Sequence, residues 1–249
     1  MKKIVFLFTV LLLSLPIFIH AGGCMEASSD EGVNVVGYLQ SQFEYQINED
    51  DNTNSFTFNR ARMGLVGNIP YDFSYYIMYE FSAFKGGPYL LDGFITYSRL
   101  APFVNISMGQ FKSPFSLELN TPCQGLHTIN RSMAVGNLIN PQRDLGVLVE
   151  GKYKDFAKYA VSFTNASTFN EIDDNTNKAI SARMVLSPLS FMNIGGSYQN
   201  YTVPAQEIGV DEDERKRYAA EFEFNLDPIL VQAEYIMAED LGSYTTGGG

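Results

Sequence analysis

The sequence predicts an all-β protein, a transmembrane antiparallel β-barrel, on three observations. Short blocks of strict two-residue alternation recur along the chain, an N-terminal export signal precedes them, and no later segment reaches the ~18 consecutive apolar residues of a membrane helix. The mean hydropathy is near neutral, as a barrel's is, because half of every strand faces water; a helical bundle would be far more apolar.

The export signal is Met1-Lys2-Lys3 followed by "IVFLFTVLLLSLPIFI" and small residues. Two processing sites fit. Cleavage after Ala21 obeys the small-residue rule, giving a signal peptide over 1–21 and a barrel domain over 22–249. Alternatively "AGGC" is a lipoprotein box with Cys24 acylated, although Ala21 stands where a larger aliphatic residue is usual. About 225 residues follow the signal, enough for one large domain.

The alternation then runs in order. "VNVVGYLQSQFEYQ" sets Val33, Val35, Leu39, Phe43 and Tyr45 against Asn34, Gln40, Gln42 and Glu44. "FTFNRARMGLVGNIP" sets Ala61, Met63 and Leu65 against Arg60 and Arg62. "FSYYIMYEFSAF" sets Phe73, Tyr75, Ile77, Tyr79 and Phe81 against Ser74, Glu80 and Ser82, and "YLLDGFITYS" sets Leu91, Ile95 and Tyr97 against Asp92, Thr96 and Ser98. "FVNISMGQF" follows, then "DLGVLVEG", "KYAVSFTN", "AISARMVL", the looser "FMNIGGSYQNY", "YAAEFEFN" and "ILVQAEYIM". This makes about eleven strands of roughly ten residues, the length a tilted strand needs to cross a bilayer.

Connections alternate in length. "LAP" and "LSP" are short turns on one rim, whereas "INEDDNTNS", "NEIDDNTN" and "VPAQEIGVDEDERKR" are long acidic connections on the other. Tyr71, Phe73, Tyr89, Tyr97, Phe103, Phe111 and Tyr201 crowd the strand ends, as in an interfacial aromatic girdle. A secreted β-sandwich also alternates, but its strands run about five or six residues and its core face is more aliphatic.

Residues 112–143, "KSPFSLELNTPCQGLHTINRSMAVGNLINPQR", interrupt the alternation. A connection this long is usually functional, and in a channel its use is to fold inward as a constriction.

The ordered blocks "FNRARMGLVGNI", "YEFSA", "LLDGFITY", "NISMGQFKSPFSLE" and "RDLGVLVEG" resemble the phosphate-selective porin O and P family of Gram-negative outer membranes. The resemblance is close over residues 56–151 and continues as strand pattern to about residue 240; "GQFKSPFSLE" is its most specific element. It implies a homotrimeric sixteen-stranded channel in the outer membrane, passing small solutes or inorganic anions such as phosphate, with lipid as its surroundings. About eleven strands fall short of sixteen, and the chain stops at "LGSYTTGGG", so a C-terminally truncated barrel is the expectation.

An anion channel needs basic groups on its water-filled face that replace lost hydration without trapping the ion. The candidates are Arg60, Arg62, Lys112, Arg131, Arg143 and Arg183; by resemblance Arg60, Arg62 and Lys112 carry most weight. The same parity puts Glu44, Glu80, Asp92, Asp144, Glu150, Glu221, Glu223 and Glu234 inside, so acids are at least as numerous, and a mixed lining passing small polar solutes fits the composition better than a strongly basic one. A barrel that captures its solute without conducting it is the alternative.

The formal charge of -11 argues against nucleic-acid binding. Two cysteines give no disulfide framework or metal spacing, and no cofactor is implied. Catalysis has one foothold, Cys123 near His127, without an orienting partner; His20 lies in the signal peptide, and no enzymatic activity is predicted. "DEDERK" at 211–216 matches no calcium loop and is expected to be solvated.

Overall fold

The computed structural model describes residues 33–47, 52–69, 71–167, 170–173, 176–203 and 213–240. The signal peptide, Cys24 and the C-terminal "LGSYTTGGG" lie outside the described residues.

Eleven strands form one antiparallel sheet in which each strand pairs with its sequence neighbours. They are β1 Val33–Gln46, β2 Thr53–Ile69, β3 Phe73–Glu80, β4 Tyr89–Leu100, β5 Val104–Lys112, β6 Arg143–Tyr153, β7 Ala157–Thr164, β8 Ala179–Leu189, β9 Met192–Val203, β10 Asp213–Leu226 and β11 Ile229–Asp240. The connections after β2, β4, β6, β8 and β10 are short, and those after β3, β5, β7 and β9 are long. The two rims thus differ as the punctuation predicts.

Alternation sorts the faces. Met63, Met108, Phe163, Ile180 and Met184 are exposed on the outer face, while Ser107, Ser162, Ser181 and Gln199 are buried on the inner one. Ser107 shares a hydrogen bond with Thr96 there at 2.7 Å, while Ser162 Oγ and Gln199 Oε1 have no hydrogen-bond partner among the described residues; the bare apolar surface outside suits hydrocarbon. Aromatic pairs mark both ends of the outer band. Phe73–Tyr97, Phe103–Tyr153 and Phe191–Phe224 lie toward the short turns, with centroids 5.0, 6.5 and 5.5 Å apart. Phe43–Phe56, Phe58–Phe84 and Tyr79–Phe81 lie toward the long connections at 4.9, 6.4 and 6.0 Å. Phe73 at the start of β3 and Phe81 just past its end stand roughly 26 Å apart along the chain, or about 20 Å along the membrane normal at a 40° tilt, close to the height of a barrel's apolar band.

Three aromatics assigned to the girdle belong elsewhere: Phe111 and Tyr201 are buried on the inner side, and Tyr89 stands opposite the inward Glu80. Leu91 also departs from simple alternation. A bulge between Met78 and Tyr79 in the β3–β4 register turns Leu91 inward beside Asp92, where it is 4% exposed. Finally, β10 begins at Asp213, so "DERKR" is strand where a long loop was expected. Its alternation of Asp213, Arg215 and Arg217 continues into Ala219 and Glu221.

The segment between β5 and β6 carries two short helices, α1 Leu117–Asn120 and α2 Met133–Leu138. Phe115, Leu119, Val135 and Ile139 gather into a small core with Ala219 of β10 and Ile236 of β11. This segment also shows that the sheet curls. The Glu118 amide donates to Glu234 of β11 at 3.3 Å, and the Cys123 thiol accepts from Arg62 of β2 at 3.2 Å. Five residues span at most ~18 Å. Even with extended Glu and Arg side chains added, that is less than the ~43 Å that nine strand spacings would place between β2 and β11 in a flat sheet. The wall wraps around the segment as a barrel wall does.

Candidate functional site

Close backbone approach positions the site on β2 to β5. Gly64 lies between Val36 and Met78 in the register, and a Cβ there would fall 2.1 Å from the Ile77 carbonyl. Gly109 has φ +139° and would meet the Gly93 carbonyl at 2.2 Å. Without side chains at these points the inner wall keeps a hollow below its charged rows.

Each predicted basic residue occupies a different environment. Arg62 forms an ion pair with Glu80 at 2.8 Å and donates to the Tyr38 hydroxyl at 2.8 Å and to Cys123 Sγ. Glu80, 1% exposed, also accepts from the Ala61 and Ser82 amides, so its charge is fully satisfied. Arg143 grips Asp92 through Nε at 2.8 Å and Nη2 at 3.3 Å. Arg183 grips Glu221 in the same two-pronged way at 3.0 and 2.7 Å. Bidentate pairs of this kind fix orientation and neutralise both partners.

The other three have no carboxylate among the described residues. Arg60 donates to Gln40 and to the Ile129 carbonyl at 2.7 Å, tying the β5–β6 segment to β2. Arg131 spreads over the carbonyls of Glu118, Leu119 and Thr121, each at 3.2 Å, closing the end of α1. Lys112, the register partner of Arg143, makes no hydrogen bond or ion pair among the described residues.

Arg62, Lys112 and Arg143 come together on one cavity of about 390 Å³, which Asp92 and Cys123 also line. Arg131 adjoins it through Cys123 Sγ at 3.5 Å. Arg60 and Arg183 line other parts of the wall. Cys123, buried, therefore sits between two guanidiniums, and His127 is not among its hydrogen-bond partners. Burial pushes its thiol up, but Arg62, then Arg131, the Tyr38 hydroxyl and Lys112 outweigh this and hold it well below the usual thiol range.

Sequence reasoning missed Arg217. It is 3% exposed, pairs with Asp240 at 2.5 Å and donates to the Leu138 carbonyl at the end of α2 at 2.7 Å. The continuing parity of "DERKRYAAE" was the signal for it. In the same stretch Asp213–Arg215 and Glu214–Lys216 pair at 2.6 and 3.2 Å, each two residues apart on one face.

The chain is similar, at low identity, to three solved structures. An anion-selective porin from Comamonas acidovorans matches with a TM-score of 0.46 and 11% identity, covering 84% of this chain and 79% of that one. A loop L8 deletion mutant of OmpT, an outer membrane protein of Vibrio cholerae, gives 0.47 and 11% over 86% and 85%. In-vitro folded OmpT in its trimer form gives 0.43 and 13% over 85% and 79%. No curated protein matches the chain. The family profile described as phosphate-selective porin O and P, however, matches residues 33–211, from the first residue of β1 through β9 and across the whole cavity wall. With the greater part of its length in that match, the chain belongs to the phosphate-selective porin O and P family.

Proposed function

We propose that this protein conducts small anions passively through a constriction framed by residues 112–143, and that it assembles as a homotrimer. As a member of its family it is a porin of the Gram-negative outer membrane. The observation that carries the anion reading is the contrast between Lys112 and its neighbours. Arg62 and Arg143 have carboxylate partners and the Cys123 thiolate is held by Arg62 and Arg131, so the Lys112 ammonium is the cavity's cation without a hydrogen-bonded anion among the described residues. An ammonium without a fixed partner attracts an anion yet lets it leave, which conduction requires. Arg60 and Arg131 act on this reading as ties that hold the constriction, and Arg183 as a neutralised wall residue. Nothing in this reading calls for catalysis.

Planar-bilayer recording tests it. Lys112→Glu is expected to move the reversal potential toward cation preference under a salt gradient. An unchanged reversal potential would mean that Lys112 does not set selectivity.

The apolar core that the β5–β6 segment builds on the inner face favours a second reading, capture without conduction. Solute flux into liposomes separates the two: binding without flux supports capture.

A further inference from the structure

The inner face above the short turns carries residues that a bare inorganic anion does not need. Two register rows below Arg62 and Glu80 are apolar at inward positions. One holds Val36, Gly64 and Met78 and ends at Asp92; the next holds Val66, Tyr76 and Phe94, with Asn34 at its β1 end. The β3–β4 bulge adds Leu91 to this wall. Tyr76 and Phe94 pack with ring centroids 5.4 Å apart. A channel wall that only solvates hydrated ions is served by serine, threonine and asparagine, which is what the next row supplies in Asn68, Ser74 and Thr96.

The same cavity therefore has two chemistries. Lys112, Arg143 and Asp92 line it together with Val36, Met78, Leu91 and Phe94. Its 390 Å³ holds about a dozen waters at ~30 Å³ each, far more than a single hydrated oxyanion must displace. Pockets of this composition orient a ligand by one charged contact and hold it by apolar burial.

We propose that the preferred solute is an organic monoanion with an apolar body, such as an aryl carboxylate, its carboxylate at Lys112 and its ring on the Met78–Leu91–Phe94 wall. This rests on the channel reading given above and narrows it. With the Cys123 thiolate set against Arg131, one positive charge remains beyond the Arg62–Glu80 and Arg143–Asp92 pairs, and it matches a single carboxylate. The flat wall matches a ring.

The test is single-channel recording of the whole chain with benzoate, acetate and inorganic phosphate at constant ionic strength. Benzoate is expected to half-saturate the conductance at a concentration about tenfold below acetate, equivalent to ~1.4 kcal/mol. Phe94→Ser and Leu91→Ser should each bring benzoate to the acetate level while leaving acetate unchanged, and Lys112→Gln should weaken both. Heat-modifiable gel mobility reports that each variant has folded; should Leu91→Ser fail it, Met78→Ser takes its place. Benzoate saturating no more readily than acetate, or the serine variants altering all anions alike, would overturn the proposal while leaving a channel. Absence of conductance with every anion would instead remove the channel reading itself.

Discussion

Cys123 shows how much a residue's chemistry depends on what the fold places beside it. In the sequence its neighbour is His127; in the structure its neighbours are Arg62 and Arg131, brought from β2 and from beyond α1. A thiol whose folded pKa lies below its unfolded value favours folding above the unfolded pKa, near 8.5, and loses that contribution as pH falls through the folded one. Its thiolate therefore persists across the window between the two. Alkylation of the folded protein by iodoacetamide should stay nearly constant from pH 9 to 7, where an ordinary thiol slows more than tenfold. Arg131→Gln should move the fall in rate to higher pH. A wild-type rate that drops like that of a free thiol would show that the guanidiniums do not stabilise the thiolate.

Among the elements, the β5–β6 segment depends most on contacts far away in sequence. Glu234 of β11 accepts from Ser116 Oγ at 3.0 Å and the Leu117 amide at 2.8 Å, Arg217 of β10 holds the end of α2, and Arg60 holds the middle at Ile129. Replacing Glu234 by Ala leaves the amides at the start of α1 without their acceptor, at about 1–3 kcal/mol for buried donors. The segment should then leave the wall more often, and single-channel recordings should show larger or noisier conductance than wild type. Unaltered conductance in the folded variant would mean that the segment does not limit the pore. The strands that carry these ties were legible: two-residue alternation is local, and nearly every block matches its strand. The ties were not, because nothing near Glu234 or Arg217 in sequence points to residues 116–118 or 138. For the same reason the sequence, in which resemblance weights Arg60, Arg62 and Lys112 most, did not show which basic candidates are neutralised. Arg143 and Arg183 differ from Lys112 only through Asp92 and Glu221, on other strands. Leu91 was misassigned by one bulge, since a single extra residue shifts which side chains face inward.

For the molecule as a whole, the sorting of side chains into two solvents decides both stability and transport. Four lumenal guanidiniums stand in fixed pairs with carboxylates. Arg62–Glu80, Arg143–Asp92, Arg183–Glu221 and Arg217–Asp240 all join adjacent or nearby strands. Such pairs bring polar side chains inside without a large net field, and the surplus at Lys112 then acts over short range. The outer face tolerates no comparable charge, because hydrocarbon supplies neither water nor a counter-ion. Val161 and Ala160 on β7 make the comparison sharp. Val161 is exposed on the outer face between Val149 and Ala182, while its neighbour Ala160 faces inward between Glu150 and Arg183. Val161→Arg should lower unfolding stability in lipid by about 2–4 kcal/mol, the cost of arginine near the bilayer midplane. Ala160→Arg puts the same guanidinium one residue away, beside the Glu150 carboxylate, and should cost under half as much. Denaturant titration of both variants in lipid vesicles measures the difference. Equal losses would mean that the two faces of β7 meet similar surroundings, and the division between lipid and lumen would fail with them.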